Sequence, residues 1–277
     1  MSAPASPPAA PDAAPDDPGD VVGAAAAGGR EKRAYVRHIF SAIAPRYDLL
    51  NRALSFGVDR AWRRRALGAL GWTRRPAGVY VDLCAGTLDV GAQLTRQRGF
   101  AGLVVGADFA VPMLQAGLGK AGLGKARPAR AAALRVPVPR PATLAPVGAD
   151  ALALPLADRS ADGAVVAFGI RNVADLDAAL AEARRVLRPG ARLVVLEFTT
   201  PPNRLVRAAY HAYFHHVLPA IGRVVSGHPT AYAYLPRSVA HFPREEALAE
   251  RMRAAGFAAV RWERLTLGVA AIHVGEA

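Results

Sequence analysis

The chain is expected to form an α/β fold: a Rossmann-like, mostly parallel sheet with helices on both faces and an antiparallel hairpin at its C-terminal end. Three features of the sequence lead there. The apolar run Val79–Leu83 leads into the small-residue turn Asp82-Leu83-Cys84-Ala85-Gly86-Thr87, as where a strand enters a doubly wound sheet. Apolar strand-like runs recur at Leu103–Asp108, Gly163–Phe168 and Arg192–Phe198, with helical patterns between them. Two last runs, Phe257–Arg264 and Val269–Val274, stand close enough to pair as a hairpin.

Taken in order, residues 1–29 are mostly Ala, Pro, Gly and Asp without an aromatic, and cannot bury enough apolar surface to fold alone. They read as a disordered tail. They hold no signal-peptide apolar core, and Asp12, Asp16, Asp17 and Asp20 disfavour a mitochondrial transit peptide. Residues 30–277 read as one domain. Within it, 30–72 form a helical cap broken around Ser55-Phe56-Gly57, and Thr87–Arg96 follows the first strand as a helix. Between 115 and 146 the pattern fails. Gly117-Leu118-Gly119-Lys120 is repeated almost at once as Gly122-Leu123-Gly124-Lys125, and a Pro/Arg/Ala run follows, so an extended surface loop is expected. No strand precedes these glycines and G-x-x-x-x-G-K-[ST] is absent, so they are not read as a phosphate loop. Asp175–Leu187 carries apolar residues at helical spacing, with Pro189-Gly190 as its stop. Residues 203–240 read as helices forming a lid over the substrate. Leu205, Val206, Ala209, Tyr210, Tyr213, Phe214, Val217, Leu218 and Ile221 make one stripe, with Arg204, Arg207, His211 and His215 mostly off it. That stripe packs on the core or carries a lipid chain. Residues 244–255 form a last helix before the hairpin.

No apolar run approaches the length of a membrane span, and the lone Cys84 excludes a disulfide framework and fits a reducing compartment. The net charge of +13 is nearly all arginine, since Lys32, Lys120 and Lys125 are the only lysines. Arginine and alanine enrichment is common in GC-rich genomes. With no helix-turn-helix, zinc-finger or RNP pattern, nucleic acid is not expected as a partner.

Asp82, Asp108 and Asp150 stand at or near the ends of three successive strands. Small residues in the turn after the first strand let backbone approach a ligand, and the following helix offers free N–H groups. Asp108 lies 22 residues after Gly86, where an acid can accept from both ribose hydroxyls. Asp150-Ala151 could accept from an adenine amino group. The turn lacks G-x-G-x-x-G, which favours S-adenosyl-L-methionine over a dinucleotide. Upstream, Tyr47, Asp48, Asn51, Ser55 and Trp62 gather among few aliphatics, and are expected to cover the site rather than fill a core. The histidines His211, His215 and His216 have no carboxylate or cysteine pattern beside them, so no metal is expected.

Tyr47-Asp48-x-Leu50-Asn51-x-x-Leu54-Ser55-x-x-x-Asp59-x-x-Trp62 resembles the N-terminal signature of the quinone C-methyltransferases, the UbiE/MenG family. Arg185–Thr199 resembles its second signature, and Phe168-Gly169-Ile170-Arg171-Asn172-Val173 a third stretch. The likeness runs from about residue 35 to 275, leaving out 115–146. It implies a class I methyltransferase that moves a methyl from S-adenosyl-L-methionine to a ring carbon of demethylmenaquinol, or of a prenylated methoxybenzoquinol leading to ubiquinone, with another phenolic or lipid substrate as the remaining alternative. It also implies a cytoplasmic location with peripheral contact to membrane lipid. Cofactor contacts then fall on Asp82, Gly86, Thr87, Asp108, Asp150, Ala151 and Ala167, and catalysis on Arg171, Asn172, Tyr47 and Asp48. Arg171 would stabilise a phenolate, or else pair with Asp175. The chain departs from the family at Leu50, Asp59, Leu88, Asp150 and Ala167. Bulky Leu88 in the cofactor turn bears most on how a ligand fits.

Overall fold

The computed structural model describes residues 29–48, 55, 57–122, 129–130, 142–213 and 229–277. Its eight strands are β1 (Val79–Leu83), β2 (Leu103–Asp108), β3 (Ala129–Arg130), β4 (Thr143–Gly148), β5 (Ala161–Ala167), β6 (Leu187–Phe198), β7 (Ala258–Leu265) and β8 (Ala270–Glu276). They make one sheet in the order β3-β4-β2-β1-β5-β6-β8-β7. All pairs up to β6 are parallel, and β8 runs antiparallel to both β6 and β7. The chain builds outward from β1 in one direction through β2 and β4, then in the other through β5 and β6. The crevice between β1 and β5 is therefore the switch point where such sheets bind ligands.

The helices are α1 (Gly29–Ile43), α2 (Asp59–Leu70), α3 (Asp89–Thr95), α4 (Val111–Gly117), α5 (Leu176–Val186), α6 (Arg204–Ala212), α7 (Pro229–His241) and α8 (Glu245–Ala254). Strands covered on both faces read as unbroken apolar runs, as β2 does. On one face Leu67 and Leu70 of α2 and Leu94 of α3 pack against Val104 and Val194. On the other, Leu180 and Val186 of α5 and Leu248 and Met252 of α8 pack against Val81, Val166 and Val195.

Several expected boundaries move. The helix after β1 starts at Asp89 rather than Thr87, because Leu88 is left-handed at φ 65°. The helix of residues 175–187 ends at Val186, before Pro189-Gly190. Leu187 is already extended and β6 begins there, so that pair lies inside a strand, where the Gly190 N–H donates to Ala277 O at 2.7 Å. The range 115–146 is not loop at its ends: α4 runs to Gly117, a 3₁₀ turn covers Leu118–Ala121, and Thr143 opens β4. Pro146 hides the extent of that strand in the sequence. It is tolerated because β4 lies near the sheet edge, with β3 pairing only Val147 and Gly148. Trp62 is a core residue, 7% exposed, packed against the paired rings of Phe168 and Phe198 at 6.0 and 6.2 Å, its indole N–H donating to Thr266. It therefore does not cover the site, because an aromatic on the inner face of α2 gains more from burial. Leu50, Asn51, Leu54, His215 and His216, the tail up to residue 28, and the whole of the stripe beyond Tyr213 lie outside the described residues.

Candidate active site

A cavity opens at the C-terminal ends of β1, β2, β4 and β5, where sheets of this kind bind their ligands. Its floor is the turn after β1, where Cys84, Gly86 and Leu88 all have positive φ. Such strain clusters at sites the surrounding fold over-determines. Leu88 turns away from the cavity and is wholly buried, its Cδ2 filling the space where a Cβ on Gly106 would come within 2.6 Å. The bulk that stood in doubt at this turn therefore packs the core. At Gly169 a Cβ would lie 2.3 Å from Cys84 Cβ, so the turns after β1 and β5 meet as closely as backbone allows. The Cys84 thiol is pushed up by burial and by the surrounding carboxylates, so it stays protonated and is no nucleophile.

Asp108 ends β2 on the cavity wall. Its Oδ2 accepts from Gly86 N and its Oδ1 from Ala110 N, both at 2.8 Å, so one carboxylate ties the two turns together. Burial pushes this group up to about 6, against the pull of those two N–H donors. Asp150 and Ala151 line the cavity beyond β4, Ala167 lines it from β5, and Gly86, Asn172 and Tyr47 complete the predicted wall. Each carboxylate oxygen keeps an acceptor position beyond its backbone bond.

The roof is α1, part of the expected helical cap, though the sequence singled out none of its residues for the site. Arg33, Val36 and Phe40 face the cavity, and Arg33 Nη2 lies 2.9 Å from Asp150 Oδ2. The amphipathic spacing of α1 marks an inner face but not what lies beneath it.

Four predicted residues stand behind the wall. Asp82 is buried beneath the turn, its Oδ2 accepting from Gly91 N at 2.9 Å to anchor α3, and burial pushes it up to about 7. Thr87 donates its hydroxyl to Asp48 Oδ1 at 2.6 Å. Arg171 sits in the 3₁₀ turn Ile170–Asn172, and its expected alternative partner Asp175 is elsewhere engaged, capping α5 by accepting from Ala178 N at 3.0 Å. The partner of Arg171 is Glu197 on β6, 2.6 Å from Nη1 and 1% exposed. Burial raises Glu197 above the ordinary carboxylate range, and the Arg171 charge opposes this. Glu197 was missed because its place beside Arg171, at the C-terminal end of an apolar strand, emerges only when β5 and β6 pair.

Around Arg171 the structure gathers polar-tipped aromatics. Tyr234 of α7 donates to Asn172 Oδ1 at 3.0 Å, and its ring lies 5.8 Å from that of Tyr35 on α1. The Tyr35 hydroxyl is buried and has no hydrogen-bond partner among the described residues. Lys32, one turn before Val36, is held below its ordinary value by burial and then by the Arg171 charge. Among the described residues no His, Cys, Asp and Glu group could hold a metal.

Comparison with known proteins agrees with this architecture. The chain is 50% identical over 238 residues to the demethylmenaquinone methyltransferase of Thermus thermophilus, spanning 86% of this chain and 99% of that one. It is 44% identical over 247 residues to the demethylmenaquinone methyltransferase of Deinococcus radiodurans, spanning 89% and 94%. A solved SAM-dependent methyltransferase from Thermotoga maritima superposes with a TM-score of 0.53 at 20% identity, over 86% of this chain and 98% of that one, which shows a shared fold. The family pattern itself matches residues 28–277, and with a switch-point cavity and 50% identity over 238 residues to such a relative, the chain belongs to the ubiE/COQ5 methyltransferase family.

Proposed function

We propose that the protein transfers a methyl group from S-adenosyl-L-methionine to a ring carbon of demethylmenaquinol, giving menaquinol. The observation that carries this is the cavity at the β1/β5 switch point, with Asp108 and Asp150 on its wall, in a chain half identical to a demethylmenaquinone methyltransferase. The residues suit that cofactor. Asp108 has acceptor capacity for ribose hydroxyls, Asp150 and Ala151 for an adenine, and Gly86 and Ala167 leave room for close backbone contact. The cofactor, when bound, supplies an electrophilic methyl on a positively charged sulfur.

The chain's own groups must then activate the acceptor. A ring carbon is a weak nucleophile until the neighbouring hydroxyl loses its proton. Arg171 is proposed to stabilise the resulting phenolate: Nη1 is held by Glu197 and Phe168 O, Nε donates to Ser238 at 3.3 Å, and Nη2 makes no hydrogen bond among the described residues. Asn172 orients the ring oxygen, itself oriented by Tyr234. The unpartnered Tyr35 hydroxyl offers a second donor there, since a buried hydroxyl left unpaired costs about 1–3 kcal/mol. Tyr47 and Asp48 are the candidates for moving the proton, and the roof of α1 excludes water, which aids alignment of carbon with methyl.

α6 is proposed to meet lipid. None of its residues is buried, Leu205 is 83% exposed, and Arg204, Arg207 and His211 flank the apolar stripe. No described helix is long and apolar enough to cross a membrane.

The test is methyl transfer by the purified protein. Equimolar menaquinol and S-adenosylhomocysteine from a prenylated demethylmenaquinol supports the reading. Transfer only to a prenylated methoxybenzoquinol would move the protein to the ubiquinone branch. No transfer to either overturns the proposal.

A further inference from the structure

Lys120 stands in the 3₁₀ turn after α4, in the repeated glycine segment that the sequence suggests is expendable loop. Its ammonium reaches three acceptors from two separate parts of the chain. Nζ lies 2.6 Å from Asp48 Oδ2, 2.6 Å from Asp89 Oδ1 and 3.0 Å from Thr87 Oγ1. An ammonium has three donors, so this set uses all of them. Thr87 in turn donates to Asp48 Oδ1 at 2.6 Å, which closes a ring of Lys120, Asp48 and Thr87. The backbone shows the same docking independently: a Cβ on Gly117 would lie 2.3 Å from Thr87 O, so only glycine lets the end of α4 press on the cofactor turn. Lys120 O also accepts from Arg96 at 3.1 Å.

We infer that Lys120 is a positioning residue that fastens the Tyr47-Asp48 segment over the turn Gly86-Thr87. Tyr47 and Gly86 both line the cavity, so the ring fixes the span between two of its walls. Without the Lys120 cation, Asp48 and Asp89 lose the charge they share, Arg63 at 3.5 Å being left to Asp89, and the tie that holds Tyr47-Asp48 to the turn weakens. The inference rests on the proposed cofactor only in expecting that affinity for it depends on this span.

The repeat gives the latch a spare. Ala116–Lys120 and Ala121–Lys125 are the same pentapeptide, so deleting either copy leaves a lysine at the same distance from Gln115. The one-copy deletion should therefore keep both stability and cofactor affinity. Lys120→Met should not, and Lys120→Met/Lys125→Met blocks the second copy from slipping into register.

Two measurements decide it. The first is a cycle of melting temperatures for Lys120→Met, Asp48→Asn and the pair, which needs no ligand. Coupling through one contact makes the pair no worse than the poorer single variant. The second is calorimetric affinity for S-adenosylhomocysteine, expected to fall roughly tenfold in Lys120→Met, no further in the pair, and to recover in part in Lys120→Arg. Turnover at saturating cofactor should change less than KM for the cofactor. Strictly additive melting effects, or unchanged affinity in the double lysine variant, would overturn the inference. A wild-type protein that binds no S-adenosylhomocysteine would instead refute the proposed cofactor, while the melting cycle still decides the latch.

Discussion

At the scale of single residues, burial sets the chemistry. Asp82 and Asp108 titrate from 3.8 in the unfolded chain to about 7 and about 6 in the folded one. Across that interval the folded protein holds more protons than the unfolded, so these groups stabilise it fully below their unfolded values and cease to as pH rises through the folded ones. Asp82→Asn keeps an acceptor for Gly91 N but cannot ionise. Its melting temperature should therefore gain on that of the wild type as pH goes from about 5 to about 8, and a constant difference would show that Asp82 is already charged at the lower pH. The buried Arg171–Glu197 pair changes how Arg171 is tested. Arg171→Ala should cost about 3 kcal/mol in the transition state, roughly a hundredfold in turnover, with cofactor affinity nearly kept. It also strands Glu197, so Glu197→Gln beside Arg171→Lys separates lost fold from lost catalysis. Tyr35→Phe removes a hydroxyl without a partner among the described residues and should leave melting temperature unchanged or raised, while the quinol KM rises several-fold. An unchanged KM would remove Tyr35 from the acceptor site.

At the scale of elements, caps and faces decide. Asp175 caps α5 rather than pairing with Arg171, so Asp175→Asn should be nearly neutral and Asp175→Ala should cost about 1 kcal/mol in urea unfolding, without loss of turnover. A turnover loss matching Arg171→Ala would return Asp175 to the site. The apolar stripe of α6 makes a different prediction. Leu205→Asp should hardly move melting temperature, because Leu205 is 83% exposed, but should weaken flotation with anionic vesicles and slow methylation of long-chain quinol. Equal loss on a short-chain soluble quinol would place Leu205 in the acceptor site instead of at lipid.

For the whole molecule, the sheet brings together residues that lie far apart in the chain. Arg33 of α1 meets Asp150 beyond β4, and Thr87 meets Asp48 and Lys120. A fold built on such contacts draws little from an Ala/Pro-rich terminus. Removing residues 1–28 should shift melting temperature by no more than a few degrees, about 1 kcal/mol or less, and a larger loss would reveal a packed segment among them.

The sequence by itself determined the strand–turn–helix order, the apolar strands, and the acids at the ends of β1, β2 and β4, because period and turn chemistry are local. It also marked Tyr47, Gly86, Asp108, Asp150, Ala151, Ala167 and Asn172, which the structure gathers around one cavity. Tertiary structure alone decided the partners. Glu197 reads as one charge in an apolar strand until β5 and β6 pair, and Lys120 as part of an expendable repeat until Gly117 packs on Thr87. Trp62 reads as a site residue until α2 turns it into the core. Which charges meet depends on contacts between distant segments, and periodicity along a chain carries no record of them.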